Sequence, residues 1–462
     1  MPVRPVTNHD LAALLEAAGF DRSHAALARQ VKHAAKAEHG LITSYDGASV
    51  YWWLRGRSPD QPAPELLARI LGRALGRQVA VDELGFLRAA GSEQDTLRYP
   101  DTIEESIALA TELWNRLGRQ PPGQDPAPFA ARAAAEAGWR WHFDPPDPTT
   151  AHRGRLQVRV GDVELLRGFQ VYFLDLDKRH GGGSTRSLLA DVLSRQVAPL
   201  LAGQYSDAVG RDLFQVAAEL TCASAFTFYD SADHGRAPRA FIQALRLSKA
   251  AGDRALGAHV LANLATQAVY LDKPAEAVRL ARAAVEGAGT SPPAMVSARL
   301  YSTAATAHAQ AGDAGSFRRS LSRARAALER SDGTGPPWAG YFTPAHLAGS
   351  AMRSLLDLRL PAEALAHQAA ALNLPEGNVR TLALHTALSA TAHARAGNIE
   401  QAAHLGSLAA EQATRVRSSR VASRVGTLIG LLAAHRALPQ AAGFLDLAAE
   451  LGHRPALARE LR

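Results

Sequence analysis

Between Tyr45 and Pro59 the apolar and polar positions follow the period of a short helix. Three apolar residues are spaced i, i+3 and i+4, namely Val50, Trp53 and Leu54. This spacing predicts one buried face. Asp46 is placed to cap the first turn, and Gly56 is placed to end the helix after about ten residues. The stretch therefore predicts a capped amphipathic helix.

The opposite face of this predicted helix carries side chains that can hydrogen-bond or stack. They are Ser49, Tyr51, Trp52 and Arg55, with Arg57 just beyond the helix. A short helix with a basic, aromatic outer face suits the major groove of DNA. An ordinary surface helix explains the stretch about as well, because any short amphipathic helix needs one polar face.

The same periodicity predicts three further helices before residue 90, at residues 8–19, 23–38 and 64–76. Asn8 and Ser23 stand where N-caps are expected. Four short helices joined by short connections predict a small bundle. Because the segment is only weakly basic, contacts with DNA phosphates would depend on where individual side chains such as Arg22, Arg29 and Lys32 lie.

The later part of the chain contains an internal repeat. The sequence ATAHAQAGD begins at Ala305 and ATAHARAGN at Ala390, while PAEA begins at Pro274 and again at Pro361. These offsets correspond to two units of about 40 residues, each of which reads as two antiparallel helices. About six such pairs fit between residues 207 and 451, and stacked pairs curve into a superhelix with a concave surface.

Two proline-rich breaks separate the bundle from the repeats. Before the first break the pattern predicts a helix over residues 102–117, which with Trp114 could either connect the two parts or mediate a dimer contact, and between the breaks it predicts a further helix over 129–138. A later helix is predicted to be capped by Asp162 and to end near Lys178.

Composition narrows the classes of protein. The 462 residues are 47% hydrophobic but only 6% aromatic, which favours helices over sheets. The net charge of +7 permits a polyanionic partner without requiring one. A single cysteine, Cys222, excludes an internal disulfide and fits a reducing compartment. No apolar run reaches the length of a membrane span, so we expect a soluble cytoplasmic protein.

Candidate chemistry is sparse. The glycine run at 181–183 precedes a helix and could cradle a phosphate, but it lacks the Lys-Ser/Thr ending of a nucleotide loop, so a structural turn is favoured. Cys222 lies in an apolar run and reads as a buried thiol. His308 and His393 occupy equivalent repeat positions and read as framework residues. With no metal or nucleophile motif, we expect neither an enzyme nor a bound cofactor or metal.

Two clusters of arginines occur in the repeats, at Arg318, Arg319, Arg323 and Arg325 and at Arg415, Arg417, Arg420 and Arg424. Solvated outer faces are the simpler interpretation. The alternative is that some of these arginines line the concave surface and receive an acidic ligand.

The chain also resembles a known family. The run SVYWWLRGRSPDQPAPELLARILGRALGRQVAVDELGF is similar to the end of the helix-turn-helix module in large actinobacterial regulators, which join an XRE-type head to a long helical-repeat body. The GGGxxR segment and the run PLLAGQYSDAVGRDLF extend the resemblance over most of residues 45–290. It implies that Trp53 is a core residue and that the outward positions around it touch DNA. Tyr51 and Trp52 depart from the family pattern, which usually has a serine and an arginine there.

These observations and the resemblance together predict an all-α protein, with a helix-turn-helix bundle at 1–88, a helical linker at 89–160 and a TPR-like solenoid at 161–462. We expect a homodimeric, sequence-specific transcriptional regulator that binds double-stranded DNA and also a peptide, small-molecule or protein effector. The alternative is a repeat-type scaffold that does not bind DNA. The predicted DNA contacts are Ser23, His24, Tyr45, Ser49, Tyr51, Trp52, Arg55 and Arg57, and the predicted effector-groove residues are Tyr270, Tyr301, Trp338 and Tyr341.

Overall fold

The structure, a computed structural model, describes residues 6, 8–55, 59, 62–85, 95–117, 129–333 and 335–455. Helices account for nearly all regular structure in these ranges, where only two isolated β-bridges accompany them. The predicted all-α class is confirmed. Contacts divide the chain into two compact units, Met1–Asp95 and Thr96–Arg462, called here the head and the body. The boundary expected near residue 88 lies outside the described residues.

The head contains four helices followed by a 3₁₀ turn: α1 His9–Ala17, α2 His24–His39, α3 Gly47–Trp53, α4 Ala63–Leu75 and the turn Val81–Leu84. Its core combines the apolar faces of all four helices. Asn8 caps α1 by accepting from the Leu11 N–H at 2.9 Å. Its side chain also donates to the Leu84 carbonyl, and its backbone N–H donates to the Leu54 carbonyl. One buried residue thus ties α1 to the end of α3 and to the turn.

The body begins with five helices: α5 Ile103–Leu117, α6 Ala131–Phe143, α7 Val160–His180, α8 Gly182–Val192 and α9 Ala198–Leu201. A π-helical stretch, Leu193–Val197, joins α8 to α9. Asp162 is not the N-cap of α7, because the helix already begins at Val160 and Asp162 lies in its first turn, where it accepts from the Arg159 N–H.

Six helical pairs follow, as the repeat predicted: α10 Asp207–Asp230 with α11 Arg236–Ala250; α12 Arg254–Tyr270 with α13 Pro274–Gly287; α14 Ala294–Gln310 with α15 Ala314–Glu329; α16 Pro344–Asp357 with the short α17 Pro361–Leu365 and α18 Gln368–Leu372; α19 Val379–Arg395 with α20 Ile399–Ala413; and α21 Ser419–Ala433 with α22 Pro439–Glu450. Small side chains such as Ala262 and Ala281 are buried where the helices of neighbouring pairs approach closely.

The turns between helices repeat one geometry. In the two copies of the nine-residue repeat, the N–H of Asp313 donates to the His308 carbonyl and the N–H of Asn398 donates to the His393 carbonyl, both at 2.9 Å. The glycine before each donor has a positive φ, +76° at Gly312. This is the Schellman end of a helix. His308 and His393 therefore occupy equivalent positions in two turns of the same geometry.

Helices α5 and α6 pack against the rest of the body. Trp114 is fully buried in the core of the body, so it is not available as a dimer contact. Four polar side chains of α11 bond back to the segment 96–147: Arg239 to the Thr96 hydroxyl, Gln243 to the Thr96 and Arg98 carbonyls, Arg246 to the Pro100 carbonyl and to Asp147, and Lys249 to the Trp141 and Asp144 carbonyls. The described residues 96–117 and 129–147 therefore belong to the compact body.

The glycine run forms a close approach between early and late parts of the body. The Gly182 N–H donates to Asp230, and the Gly183 N–H donates to the Arg417 carbonyl. A Cβ on Gly182 would lie 2.8 Å from the Thr227 backbone, so a larger residue does not fit. Because internal acceptors occupy both N–H groups, they are not open to a phosphate, in keeping with the structural interpretation. Among the described helices, none has the length and apolarity needed to cross a bilayer.

We expect that Ala232→Gly stabilises the body and that Gly312→Ala destabilises it, each by about 0.5–1 kcal/mol. Ala232 has a φ of +62° at a helix end, a conformation that strains residues with a Cβ. Gly312 has the same sign of φ and open space around its Cα, so conformation alone sets the effect. Urea denaturation of both variants measures the change. Equal, negligible changes would contradict the turn geometry.

Candidate functional sites: a helix face in the head and an arginine cavity in the body

Helix α3 begins with a capping box. The Ser49 N–H donates to the Asp46 carboxylate at 2.9 Å, and the Asp46 N–H donates to the Ser49 hydroxyl at 3.2 Å. The hydrogen bonds that the Ser49 N–H and the Ser49 hydroxyl donate to the carboxylate lower the pKa of Asp46. The predicted cap is confirmed, and the Ser49 hydroxyl hydrogen is used within it. The helix is shorter than expected, with seven residues, because the chain tightens after Trp53 and the Arg55 N–H donates to the Trp52 carbonyl.

The inner face of α3 is anchored in the head core. Val50, Trp53 and Leu54 are buried as predicted, with Trp53 only 3% exposed. Tyr45 meets Trp53 edge to face, with ring centroids 5.2 Å apart. It is partly buried against the core, so it supports α3 from the inside more than it extends the outer face.

Three predicted contact residues form an ordered cluster on the outer face of α3. The Arg55 guanidinium lies over the Tyr51 ring at 3.4 Å and donates to the Tyr51 carbonyl. Tyr51 in turn meets Trp52 edge to face at 5.5 Å. Trp52 is 40% exposed, far more than its neighbour Trp53. The cluster therefore presents stacked rings and a cation at the surface, held in place by each other.

The start of α2 lies beside the start of α3, since a Cβ built on Gly47 would be 3.5 Å from the Ala25 nitrogen. This brings Ser23 and His24 close to the aromatic cluster's helix. Ser23 stands at the N-cap position, but its hydroxyl does not cap, so the predicted capping role is wrong; its backbone torsions there are unsuitable. Arg57 lies outside the described residues.

An exposed basic row on α2 was only partly recognised from the sequence, which singled out Arg29 and Lys32. The row also includes His33 and Lys36, and its members share one helix face at the spacing i, i+3, i+4 and i+7. The signal was present in the spacing. Such a row can contact phosphates along a nucleic-acid backbone.

The body contains a cavity of about 230 Å³ whose wall holds five arginines, called here the arginine cavity: Arg299, Arg353, Arg380, Arg420 and Arg424. These side chains come from α14, α16, α19 and α21, which the repeat stacks side by side. A narrower apolar recess of about 110 Å³ and a wider polar cavity of about 590 Å³ adjoin it through shared wall residues.

Asp230 closes the body around this cavity. Its carboxylate accepts from Arg420 Nε at 2.8 Å, from the Ser418 hydroxyl at 2.9 Å and from the Gly182 N–H at 3.1 Å. Arg380 lies 3.8 Å away and forms a bidentate pair with Asp177 on α7. Burial alone raises the pKa of Asp230, but Arg420 and Arg380 outweigh it and hold the pKa below its ordinary value.

The remaining three arginines of the cavity lack this degree of compensation. Arg353 Nε donates to both oxygens of Asp357. Arg299 bonds only to neutral groups, including the Tyr341 hydroxyl at 2.8 Å. Arg424 makes no hydrogen bond or ion pair with any residue that the structure describes, and burial and the neighbouring Arg353 lower its pKa.

The structure brings three of the four predicted groove residues to these cavities. Tyr270 lies between the arginine cavity and the wider one, Tyr341 lines the arginine cavity and the recess, and Trp338 lines the recess. Tyr301 does not join them, because its ring packs beneath Arg323 against a separate small core.

Burial shifts the pKa of several other titratable groups of the recess towards the value that favours their neutral form. Burial lowers the pKa of His259 and of His346 to about 3. Burial raises the pKa of Glu219 to about 7, and raises the pKa of the Cys222 thiol to about 12. The buried, unreactive thiol agrees with the sequence interpretation, and the arginines dominate the charge of the cavity.

The guanidinium groups of the arginine cavity give it the chemistry to bind an anion. Within the described ranges, no group of three or more His, Cys, Asp and Glu side chains is arranged to hold a metal ion. Sequence reasoning singled out Arg420 and Arg424 as cavity candidates but missed Arg299, Arg353 and Arg380, which are isolated in sequence. Arg318 is exposed and pairs with Glu363, as the simpler interpretation of the clusters expected.

Residues 11–87 match a protein family described as the SP15 N-terminal domain. The match spans most of the head and none of the body. No curated protein and no solved structure matches the chain.

We expect Trp53→Ala to unfold the head, since truncating a buried aromatic side chain costs about 3–5 kcal/mol. Trp52→Ala is the matched control, because the adjacent indole is much more exposed. Hydrogen exchange of the amides in residues 8–55 and 62–85 measures the effect in the full chain. Protection that survives Trp53→Ala would show that the assignment of the inner face is wrong.

We expect Asp230→Asn to destabilise the body by about 3–5 kcal/mol, because it leaves buried Arg420 without its carboxylate. Asp212→Asn serves as the control. It removes an exposed ion pair with Arg167 and should change stability by about 0–1 kcal/mol. Chemical denaturation compares the two variants, and equal midpoints would contradict the closing role of Asp230.

Proposed function

We propose that the protein is a sequence-specific, DNA-binding transcriptional regulator. In this proposal the head is an XRE-type helix-turn-helix module, and the body is a TPR-like solenoid that binds an effector. The observation that carries the proposal is the outer face of α3, where Tyr51, Trp52 and Arg55 form one surface cluster above a rigid inner anchor. A preordered face loses little conformational entropy when it enters a groove.

This cluster would contact DNA bases differently from a recognition helix that uses amide or serine side chains. Arg55 can bond to guanine or to phosphate. The rings of Tyr51 and Trp52 can contact thymine methyl groups or stack. Ser23 at the start of α2 and the basic row farther along that helix would bind the phosphate backbone and fix the register of the head.

A dimer follows from the size of the site. One short helix covers only a few base pairs, so useful specificity favours two heads on one operator. We propose that the body supplies the dimer contacts. Light scattering of the purified protein measures the oligomeric state.

The six helical pairs of the body support the solenoid part of the proposal. Consecutive pairs pack against each other, and α12, α14 and α16 contact in series. Small residues at these contacts are typical of TPR-like stacking. A ligand held within such an array alters DNA affinity only if it binds one arrangement of the protein better than another.

One observation favours a different function, that of a scaffold that docks another protein. Ile42 is 89% exposed in the connection before α3, the adjacent Leu41 is also exposed, and Trp52 is exposed on α3 itself. Apolar side chains grouped at a surface are typical of protein interfaces. In that case the head would bind protein through the same region and ignore DNA.

The dependence of binding on salt separates the two functions. Selection of bound fragments from genomic DNA would supply an operator, and fluorescence anisotropy would then follow its binding as salt rises. DNA binding loses affinity steeply because phosphate neutralisation releases counterions. A protein that leaves every fragment unbound at low salt would overturn the regulator proposal in favour of the scaffold.

We expect Arg55→Ala to weaken operator binding by about 1–3 kcal/mol, roughly 5- to 150-fold, while the head stays folded. Arg73→Ala is the matched control, because it removes the same charge from an exposed position on α4. Anisotropy titrations of both variants give the comparison, with circular dichroism as the check of folding. Equal affinities for the two would exclude the α3 face as the reader.

A further inference from the structure

The arginine cavity has an unbalanced charge. Of its five arginines, two are matched by Asp177 and Asp230 and one by Asp357, which leaves Arg299 and Arg424 without a carboxylate among the described residues. Both side chains are partly buried, and withdrawing a cation from water without supplying an anion is unfavourable. The arrangement is therefore incomplete without an added negative charge.

Of the two arginines without a carboxylate partner, Arg424 has the less favourable electrostatic surroundings. It shares the wall with Arg353, whose positive charge opposes its own, and the nearest carboxylate, Asp357, already accepts twice from Arg353. An oxyanion placed at Arg424 would relieve the repulsion between the two guanidinium groups. Planar guanidinium groups suit carboxylate and phosphate oxygens, which accept two parallel hydrogen bonds.

The surroundings define the rest of the ligand. Phe226, Tyr270, Tyr341 and Phe342 line the arginine cavity, together with hydroxyl groups such as that of Thr306. With its wider neighbour, the space reaches the range of about 300–1,000 Å³ that small-molecule sites occupy. Aromatic walls with a few polar groups favour a flat organic body over a bare inorganic ion.

We propose that the arginine cavity binds a small organic anion, whose carboxylate or phosphate pairs with Arg424 beside Arg353 and whose ring lies against Tyr270 and Tyr341. The inference deepens the effector part of the proposed function, and its regulatory meaning rests on that function. Binding itself does not, because every residue involved belongs to the body.

The test measures thermal unfolding of the full chain, without DNA, in the presence of 4-hydroxybenzoate, 4-nitrophenyl phosphate or inorganic phosphate. 4-Hydroxybenzamide is the neutral counterpart, and sodium chloride at equal ionic strength is the control for screening. We expect at least one ring-bearing anion to raise Tm saturably by about 2 °C or more, since a ligand that binds only the folded state stabilises it. Whether the carboxylate or the phosphate acts best identifies the anionic group.

Two variants sharpen the result. Arg424→Met should abolish the shift and, without ligand, should leave Tm unchanged or raised, because a buried cation with no partner is removed. Arg282→Gln, which removes an exposed arginine that pairs with Glu286, should keep the full shift. A purely structural Arg424 would instead lower Tm when replaced.

Several outcomes overturn the proposal: no shift with any of the anions, an equal shift with the neutral amide, or a shift that survives Arg424→Met. These outcomes leave the DNA-binding proposal intact, because operator binding is measured separately through Arg55. Conversely, a head that ignores DNA leaves anion binding in the body untouched.

Discussion

The geometry of the body depends on one buried carboxylate. Asp230 ends the first helix of the repeat array, yet its partners Arg420 and Ser418 belong to the last pair of helices. In an open stack of repeats each pair contacts only its neighbours. Here a contact across about 190 residues returns the array on itself, which costs loop-closure entropy and therefore needs a strong charge-assisted interaction to hold it. The cavity exists because this contact is made.

The same closure explains why the cavity is cationic. Asp230 joins the two ends of the array by pairing with Arg420, and Asp177 joins α7 to α19 by pairing with Arg380, so neither carboxylate is left to neutralise other cations. Arg299 on α14 and Arg424 on α21 line the cavity without a carboxylate partner among the described residues. Arginines thus have two roles in the body. Those that pair with an aspartate hold the fold together, and those without a carboxylate partner are the ones proposed to meet a ligand.

Local features could be predicted from the sequence because their causes are local. The cap at Asp46, the buried Trp53 and the paired repeats follow from spacing of a few residues and appear in the structure. The arginine cavity could not be predicted in this way. Arg299 and Arg424 are separated by more than a hundred positions in the sequence. Nothing in the sequence around either residue indicates that the first and last repeats contact each other, or which aspartates pair with other arginines. The position of Tyr301 could not be predicted for the same reason, since periodicity places a ring on a helix without specifying which neighbouring helix covers it.

The attachment of residues 96–147 to α11 has a consequence for dividing the chain. Arg246 and Lys249 donate to backbone carbonyls and a carboxylate of that segment, at positions shielded from water. A fragment beginning at α7, where the repeats seem to start, would strip these donors of their acceptors and uncover the Trp114 core. Chimeras that exchange one head for another should therefore be joined no later than Asp95, so that the whole segment travels with the repeats.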